Sequence, residues 1–263
     1  MKVTCLASSS SGNCYIMDFE IKGNHTLLMV ECGIPYSKIL EGCNANGIDF
    51  SKVKHCLITH GHSDHCKAAK DLSSRNIKIY ASKETLEIAK VKGVALAKEI
   101  PQKITEDIAV FPFEVEHDID GAYGFIIKTS ANETVLFVND CKRWTINLIN
   151  FRPDYVFIEC NYYHETVYAQ IYQLKHDLES NQLNSAQERE AKIKIQQHER
   201  NLNSHMSLHG TLAGLSKLDL SLCKSIFLMH MSDRYANEYV MKNEVQTKFK
   251  IKTYACGKYG SIK

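Results

Sequence analysis

Four side chains able to bind a metal ion fall within six positions. They are His60, His62, Asp64 and His65, in the run Leu57-Ile58-Thr59-His60-Gly61-His62-Ser63-Asp64-His65. Imidazole nitrogens and a carboxylate suit Zn²⁺, Mn²⁺ or Fe. A turn here can aim His60 and His62 at one point while Asp64 and His65 face another. A chance polar loop supplies single histidines, not four ligands at this spacing directly after an apolar run. Metal-assisted hydrolysis is the matching chemistry. Paired divalent ions with open coordination positions bring the pKa of a shared water toward about 7 and clamp the attacking and leaving oxygens.

The elements that must position this cluster are legible on either side. The apolar run His55 to Thr59 reads as a short strand that ends at the histidines, and a helix from about His65 to Arg75 leads away. Val3 to Ala7, Cys14 to Phe19 and Thr26 to Glu31 read as strands, with turns at Ser8 to Asn13 and at Gly23-Asn24. Pro35 opens a helix that stops near Gly47. Ile77 to Ala81 is a strand, and Ser82 caps a helix running through Val91. Ile108 to Glu116, Tyr123 to Thr129, Thr134 to Asn139 and Tyr155 to Glu159 are strands, with Ile146 in a short helix between the last two. From Glu165 to Asn201, Val167, Ile171, Leu174 and Leu178, then Ile193 and Ile195, recur at helical spacing around a break at Ser180 to Ser185. This is a helical hairpin. A helix over Ser207 to Ser216, a strand over Ser225 to Met229, a helix over Tyr235 to Val245 and a strand over Phe249 to Tyr254 complete the chain. Two blocks of strands with helices between them suggest sheets inside and helices outside.

Composition narrows the class. Of 263 residues, 44% are hydrophobic and 24% charged, enough for a substantial core. The net charge of +2 does not announce a nucleic-acid binder. Basic excess is local, in Lys67 to Lys103 and in Lys242 to Lys263. There it is either solvated surface or a rim that tracks phosphates. The 10 cysteines form no CxxC pair, and most are expected to be reduced and buried. No apolar run matches a signal peptide or a membrane span, so the cytoplasm is the expected compartment.

The pattern HxHxDH after a hydrophobic strand resembles the signature of the metallo-β-lactamase fold, and the resemblance extends along nearly the whole chain. Leu6-Ala7-Ser8-Ser9-Ser10-Ser11-Gly12-Asn13-Cys14 resembles the opening of the YycJ/WalJ group of bacterial exonuclease-like members. Leu27 to Gly33 is similar to the family's second strand, with Glu31 where Asp is usual. Glu116-His117-Asp118 ahead of Tyr123-Gly124-Phe125 resembles the family's third motif. Val135 to Asp140 resembles the strand ending in the bridging aspartate, with Asn139-Asp140-Cys141-Lys142 in place of Thr-Asp-Thr-Gly. Ser204-His205-Met206-Ser207 and Leu228-Met229-His230-Met231-Ser232 resemble its two late histidine elements.

This resemblance implies an α/β chain folded as an αββα four-layer sandwich. A single domain would span 1–263, with the helical hairpin inserted at about 163–203. It implies two divalent metal ions, Zn or Mn with Fe also possible. His60, His62 and His117 would hold the first, Asp64, His65 and His230 the second, and Asp140 would bridge. Asp64 and His205 are the implied catalytic residues, with His205 protonating the leaving oxygen. The redox branch of the family carries Glu at the second ligand position, so His62 favours hydrolysis. The expected activity is a phosphodiesterase or nuclease acting on DNA in an exonuclease-like way, with a metal-bridging hydroxide attacking phosphorus in line. Alternatives are a small or cyclic nucleotide phosphodiesterase, a thioesterase or lactonase, and a non-catalytic metal-dependent binding protein. Expected partners are DNA or a nucleotide substrate and no membrane. The hairpin is expected to serve as a lid or to join two copies of the chain.

Overall fold

Strands β1 (Lys2–Ser9), β2 (Gly12–Ile21) and β3 (Asn24–Val30) are joined by tight turns and pair antiparallel in sequence order. In a computed structural model of the chain, which describes residues 1–180 and 183–257, they begin a six-stranded sheet. The chain then enters α1 (Tyr36–Ala45). It returns through β4 (His55–Leu57), α2 (Ser63–Cys66), α3 (Ala69–Ser73), β5 (Lys78–Ala81), α4 (Lys83–Ala89) and β6 (Val94–Ala95). The sheet order is β1-β2-β3-β4-β5-β6, parallel from β3 onward.

The second sheet has eight strands. They are β7 (Gln102–Lys103), β8 (Ile108–Glu116), β9 (Tyr123–Thr129), β10 (Thr134–Val138), β11 (Arg143–Trp144), β12 (Tyr155–Glu159), β13 (Ser225–Met229) and β14 (Thr253–Ala255). The path runs β11-β8-β9-β10-β12-β13-β14, with β7 on β8. The run β10-β12-β13-β14 is parallel. Between β12 and β13 lie α5 (His164–Glu179), α6 (Ser185–Ser204) and α7 (Leu208–Leu215), and α8 (Glu238–Phe249) precedes β14.

Alternation along the strands sorts the core into layers. Tyr15, Met17, Phe19 and Leu28 meet Phe125, Phe137, Phe157 and Phe227 between the sheets. On the outer face of the first sheet, Ile16 and Met29 pack with Ile39 of α1 and Leu72 of α3. On the outer face of the second, Val138 and Ile158 pack with Leu215 of α7 and Met241 of α8. The result is a helix–sheet–sheet–helix sandwich. The hairpin docks through Val167 and Ile171 of α5 against Tyr162, with Leu202 of α6 and Tyr235 beside them. All ten cysteines are free thiols, and eight are buried.

Three local expectations fail for identifiable reasons. Ile146 is not helical, because Arg143 and Trp144 are drawn onto the edge of β8 opposite Glu116 and Val115. The helix after His65 is split, because the Ala68 N–H leaves the helical ladder to donate to the Cys32 carbonyl. The last helix starts later and ends later than its apolar residues suggest. Asn237 caps it by accepting from the Val240 N–H, and Lys250, at φ 59°, terminates it. The break in the hairpin falls partly on 181–182, outside the described residues. Among the described residues no helix is long and apolar enough to cross a membrane.

Candidate metal centre

The site forms where strands of both sheets end. His60 and His62 follow β4, and Asp64 and His65 ride on α2. His117 follows β8, Asp140 follows β10 and His230 follows β13, while His205 closes the C-terminal end of α6. His62 Nδ1 lies 3.0 Å from His60 Nε2 and 3.2 Å from His117 Nε2. Asp140 Oδ2 lies 3.6 Å from His60 Nε2, 3.8 Å from His117 Nε2 and 3.0 Å from His65 Nε2. Asp64 Oδ2 lies 3.4 Å from His65 Nε2 and 3.6 Å from His230 Nε2.

Two donor groups therefore share one carboxylate. His60, His62, His117 and Asp140 form the first, and Asp64, His65, Asp140 and His230 the second, with the donor atoms of each group within 4.8 Å of one another. A third such group, Asp140, Glu159, His205 and His230, overlaps them. Ligands at about 2.0–2.2 Å around a tetrahedral ion stand roughly 3.3–3.6 Å apart, which matches these spacings. One proton cannot serve three converging ring nitrogens, whereas a cation can. The His230 Nε2 is buried with no hydrogen-bond partner among the described residues. The donor set fits a divalent metal site.

The electrostatics of the two groups differ. Burial, and then the neighbouring His65, hold His60 well below the ordinary imidazole range. Burial and His117 also lower His62. These rings favour the neutral form that ligates metals. Around the shared carboxylate the balance reverses. Burial opposes the charge on Asp140, but His230, His205 and His65 outweigh it and hold the carboxyl well below its usual range.

Backbone conformation aims several of these groups. Glu31, Asp140 and His230 have left-handed φ values of 64°, 49° and 53°. A residue with a Cβ gives up about 1–2 kcal/mol there. Glu31 and His230 sit immediately after a strand and Asp140 two residues past the end of β10, so the kink turns each side chain across the sheet edge toward the centre.

Buried contacts and hydrogen bonds then hold these candidate ligands in place. Glu31 Oε1 lies 3.3 Å from His65 Nδ1 and accepts a 2.5 Å bond from the Thr59 hydroxyl. The His230 N–H donates to Ser8 Oγ at 2.9 Å, and Asn161 Nδ2 donates to the His230 carbonyl at 2.7 Å. Asn13 Nδ2 donates to the Ser9 carbonyl and reaches the Asp64 carbonyl at 3.3 Å. The serine-rich N-terminal turn thus supports the ligands. Gly33 is required for the same reason, because a Cβ there would overlap the backbone carbonyl of Asp64.

Comparisons with known proteins bear on the family and the fold. A family model described as the beta-lactamase superfamily domain matches residues 38–231. The chain belongs to the metallo-β-lactamase superfamily. Among solved structures it is similar to a diphosphatase from the PhnP family (TM-score 0.63, 13% identity, 99% of this chain and 96% of that one). It is similar to human tRNase Z, short form (TM-score 0.58, 14% identity, 98% and 97%). It is also similar to Zn²⁺-bound PqqB from Methylobacterium extorquens (TM-score 0.64, 13% identity, 98% and 98%). No curated protein sequence matches it.

In this member of the metallo-β-lactamase superfamily, sequence reasoning missed Glu159. It is fully buried, accepts from the Cys141 N–H at 2.7 Å and lies 2.7 Å from His205 Nδ1. A carboxylate closing the apolar strand Val156-Phe157-Ile158 was the available signal. It also missed Asp118, whose Oδ1 is 3.2 Å from His117 Nε2 and whose Oδ2 is 2.6 Å from Arg200 Nη2. Asp118 was legible as the neighbour of a histidine, but Arg200, from a helix 82 residues away, was not.

A cleft of about 540 Å³ opens over the centre. Its outer wall is α6, through Gln197, Arg200, Asn201 and Ser204. The basic stretch 67–103 and the described part of the basic tail contribute no residue to it. Lys258 and Lys263 of that tail lie outside the described residues.

Proposed function

We propose that the protein is a metal-dependent hydrolase, specifically a phosphodiesterase that cleaves DNA in an exonuclease-like way. One observation carries the reading: two donor groups sharing Asp140 stand beside His205, whose Nδ1 is held by Glu159 and whose ring reaches the cleft. His60, His62 and His117 would hold one divalent ion, Asp64, His65 and His230 a second, with Asp140 between them. Zinc or manganese are the first choices and iron the third. When bound, such ions acidify a water and stabilise charge on phosphoryl oxygens.

The chain's own residues do the rest. Arg200 at the mouth offers a guanidinium to a substrate phosphate oxygen. Water attacks phosphorus, the bond to the leaving oxygen breaks, and His205 gives that oxygen its proton. The proton released by the water returns to His205 through solvent. Glu159 keeps the His205 ring oriented and favours its charged form. Burial opposes that charge, but Glu159 and Asp140 raise the His205 pKa to about 9. Two structural neighbours, the diphosphatase and the tRNase, carry the names of phosphate-cleaving enzymes, which supports a phosphorus-centred reaction.

The test is a substrate panel. Protein reconstituted with Mn²⁺ or Zn²⁺ is incubated with DNA, RNA, cyclic nucleotides, a thioester and a lactone. The expected result is stepwise release of nucleotides from DNA ends. Rapid cleavage of a cyclic nucleotide with intact DNA would replace this reading with a small-nucleotide phosphodiesterase. Thioester or lactone turnover alone would end it.

A further inference from the structure

His205 lines two cavities. One is the cleft over the candidate metal centre, and the other is a cavity of about 360 Å³. The second cavity carries an aromatic wall. The rings of Tyr162 and His164 lie with centroids 6.4 Å apart at 18°, and those of His164 and Tyr168 at 4.4 Å and 49°. Tyr168 is 50% exposed. Lys142 stands at the rim, its Nζ 3.4 Å from Asn203 Oδ1. The acid among the described lining residues, Glu199, is engaged by Lys175 at 3.3 Å.

Building on the phosphodiesterase reading, we propose that this second cavity is the subsite for the leaving nucleoside, with its base stacked on Tyr168 and His164 and its next phosphate facing Lys142. The chemistry dictates the place. A proton donor must touch the oxygen that departs, so the departing group lies next to His205, which lines both cavities. A nucleoside needs a flat apolar surface for its base and a cation for its neighbouring phosphate, and both are present. The cleft over the candidate metal centre, lined by three aspartates and no aromatic ring other than histidine, does not offer that pair.

The experiment measures binding, so it does not depend on turnover. Metal-loaded protein is titrated calorimetrically with adenosine 5′-monophosphate and with ribose 5-phosphate, for the wild type and for Tyr168→Ala. The wild type should bind the nucleotide more tightly than the sugar phosphate. Tyr168→Ala should remove about five- to a hundredfold of that preference, the range for loss of one base–aromatic stack, and leave the sugar phosphate unaffected. Equal affinity for both compounds in the wild type, or an unchanged preference in Tyr168→Ala, overturns the subsite. Base preference without any phosphodiester cleavage would sustain the subsite while ending the phosphodiesterase reading. Cleavage of DNA without base preference would do the reverse.

Discussion

Glu159 and His205 form a buried carboxylate–imidazole pair, Oε1 to Nδ1 at 2.7 Å, with the carboxylate wholly inaccessible and the ring partly open to the cleft. The same carboxylate accepts backbone N–H groups from Cys141 and Met206, so it cannot swing away from the ring. The arrangement fixes which face of His205 meets a ligand.

His205→Ala should therefore retain metal and melting temperature while slowing nucleotide release about 100- to 10,000-fold. Glu159→Gln keeps the volume but loses the charge, and about 10- to 100-fold is expected. Both losses should shrink on a p-nitrophenyl ester, whose leaving group needs no proton. Equal losses on both substrates, or lost metal in His205→Ala, would assign the ring to ligation.

Metal content tests the donor groups directly. Reconstituted protein should hold two ions per chain by elemental analysis. Asp64→Ala should lose one of them preferentially, and Asp140→Asn should weaken both. Metal at about a hundred times its dissociation constant adds roughly 2.7 kcal/mol of stability. In a chain of this size that is about 5–11 °C in melting temperature, which a chelator should remove. A melting temperature indifferent to chelation, with less than one ion bound, would contradict the assignment.

Gly33 allows the backbone before α1 to touch the loop bearing the ligands. Gly33→Ala drives a methyl group into the Asp64 carbonyl. Overpacking of this kind costs about 1–3 kcal/mol. The larger effect should be on metal affinity, read by titration with a chromophoric chelator. A variant that binds metal like the wild type would show that the loop can move aside.

The cleft wall predicts where charge matters for DNA. Arg200→Ala should weaken DNA binding and lower the slope of log affinity against log salt by about one unit, because one phosphate contact disappears. Reversing Lys248, Lys250 and Lys252 together should matter less, since none of them lines the cleft. The opposite ranking, measured by fluorescence anisotropy across salt, would move the substrate path to the tail.

His198 packs its buried ring against Tyr235, with centroids 5.2 Å apart. Burial first, then Arg234 and Lys194, lower its pKa from 6.5. The unfolded chain therefore binds the proton more readily, and stability falls as pH drops through about 6.5 toward the folded value. His198→Gln should flatten this part of the stability curve. Denaturant melts at mildly acidic and neutral pH compare the two proteins, and identical pH dependence would remove His198 from the account.

Short-range physics made much of this protein readable in advance. Four potential ligands of two types, His and Asp, close together after an apolar strand point to a metal site whatever surrounds them. Ser82 as a helix cap, the strands of the first sheet and the helical spacing from Val167 to Ile195 depend on neighbours a few residues apart. Outside that reach, Glu159 reads as the polar end of a strand and Arg200 as one charge on a helix. The position of Glu159 follows from the parallel register of β10, β12 and β13, which sets Val138 opposite Ile158 and Ile158 opposite Leu228. That register brings the ends of the three strands together, so Asp140, Glu159 and His230 meet at one edge. The left-handed turns at Glu31, Asp140 and His230 likewise cost energy that the surrounding packing must offset, since each residue carries a Cβ. The sequence determined which atoms could bind a metal. Tertiary structure decided which of them converge, which carboxylate grips His205 and that α6, rather than the lysine-rich stretches, walls the cleft, because strand register and helix docking are set by contacts between segments far apart in the chain.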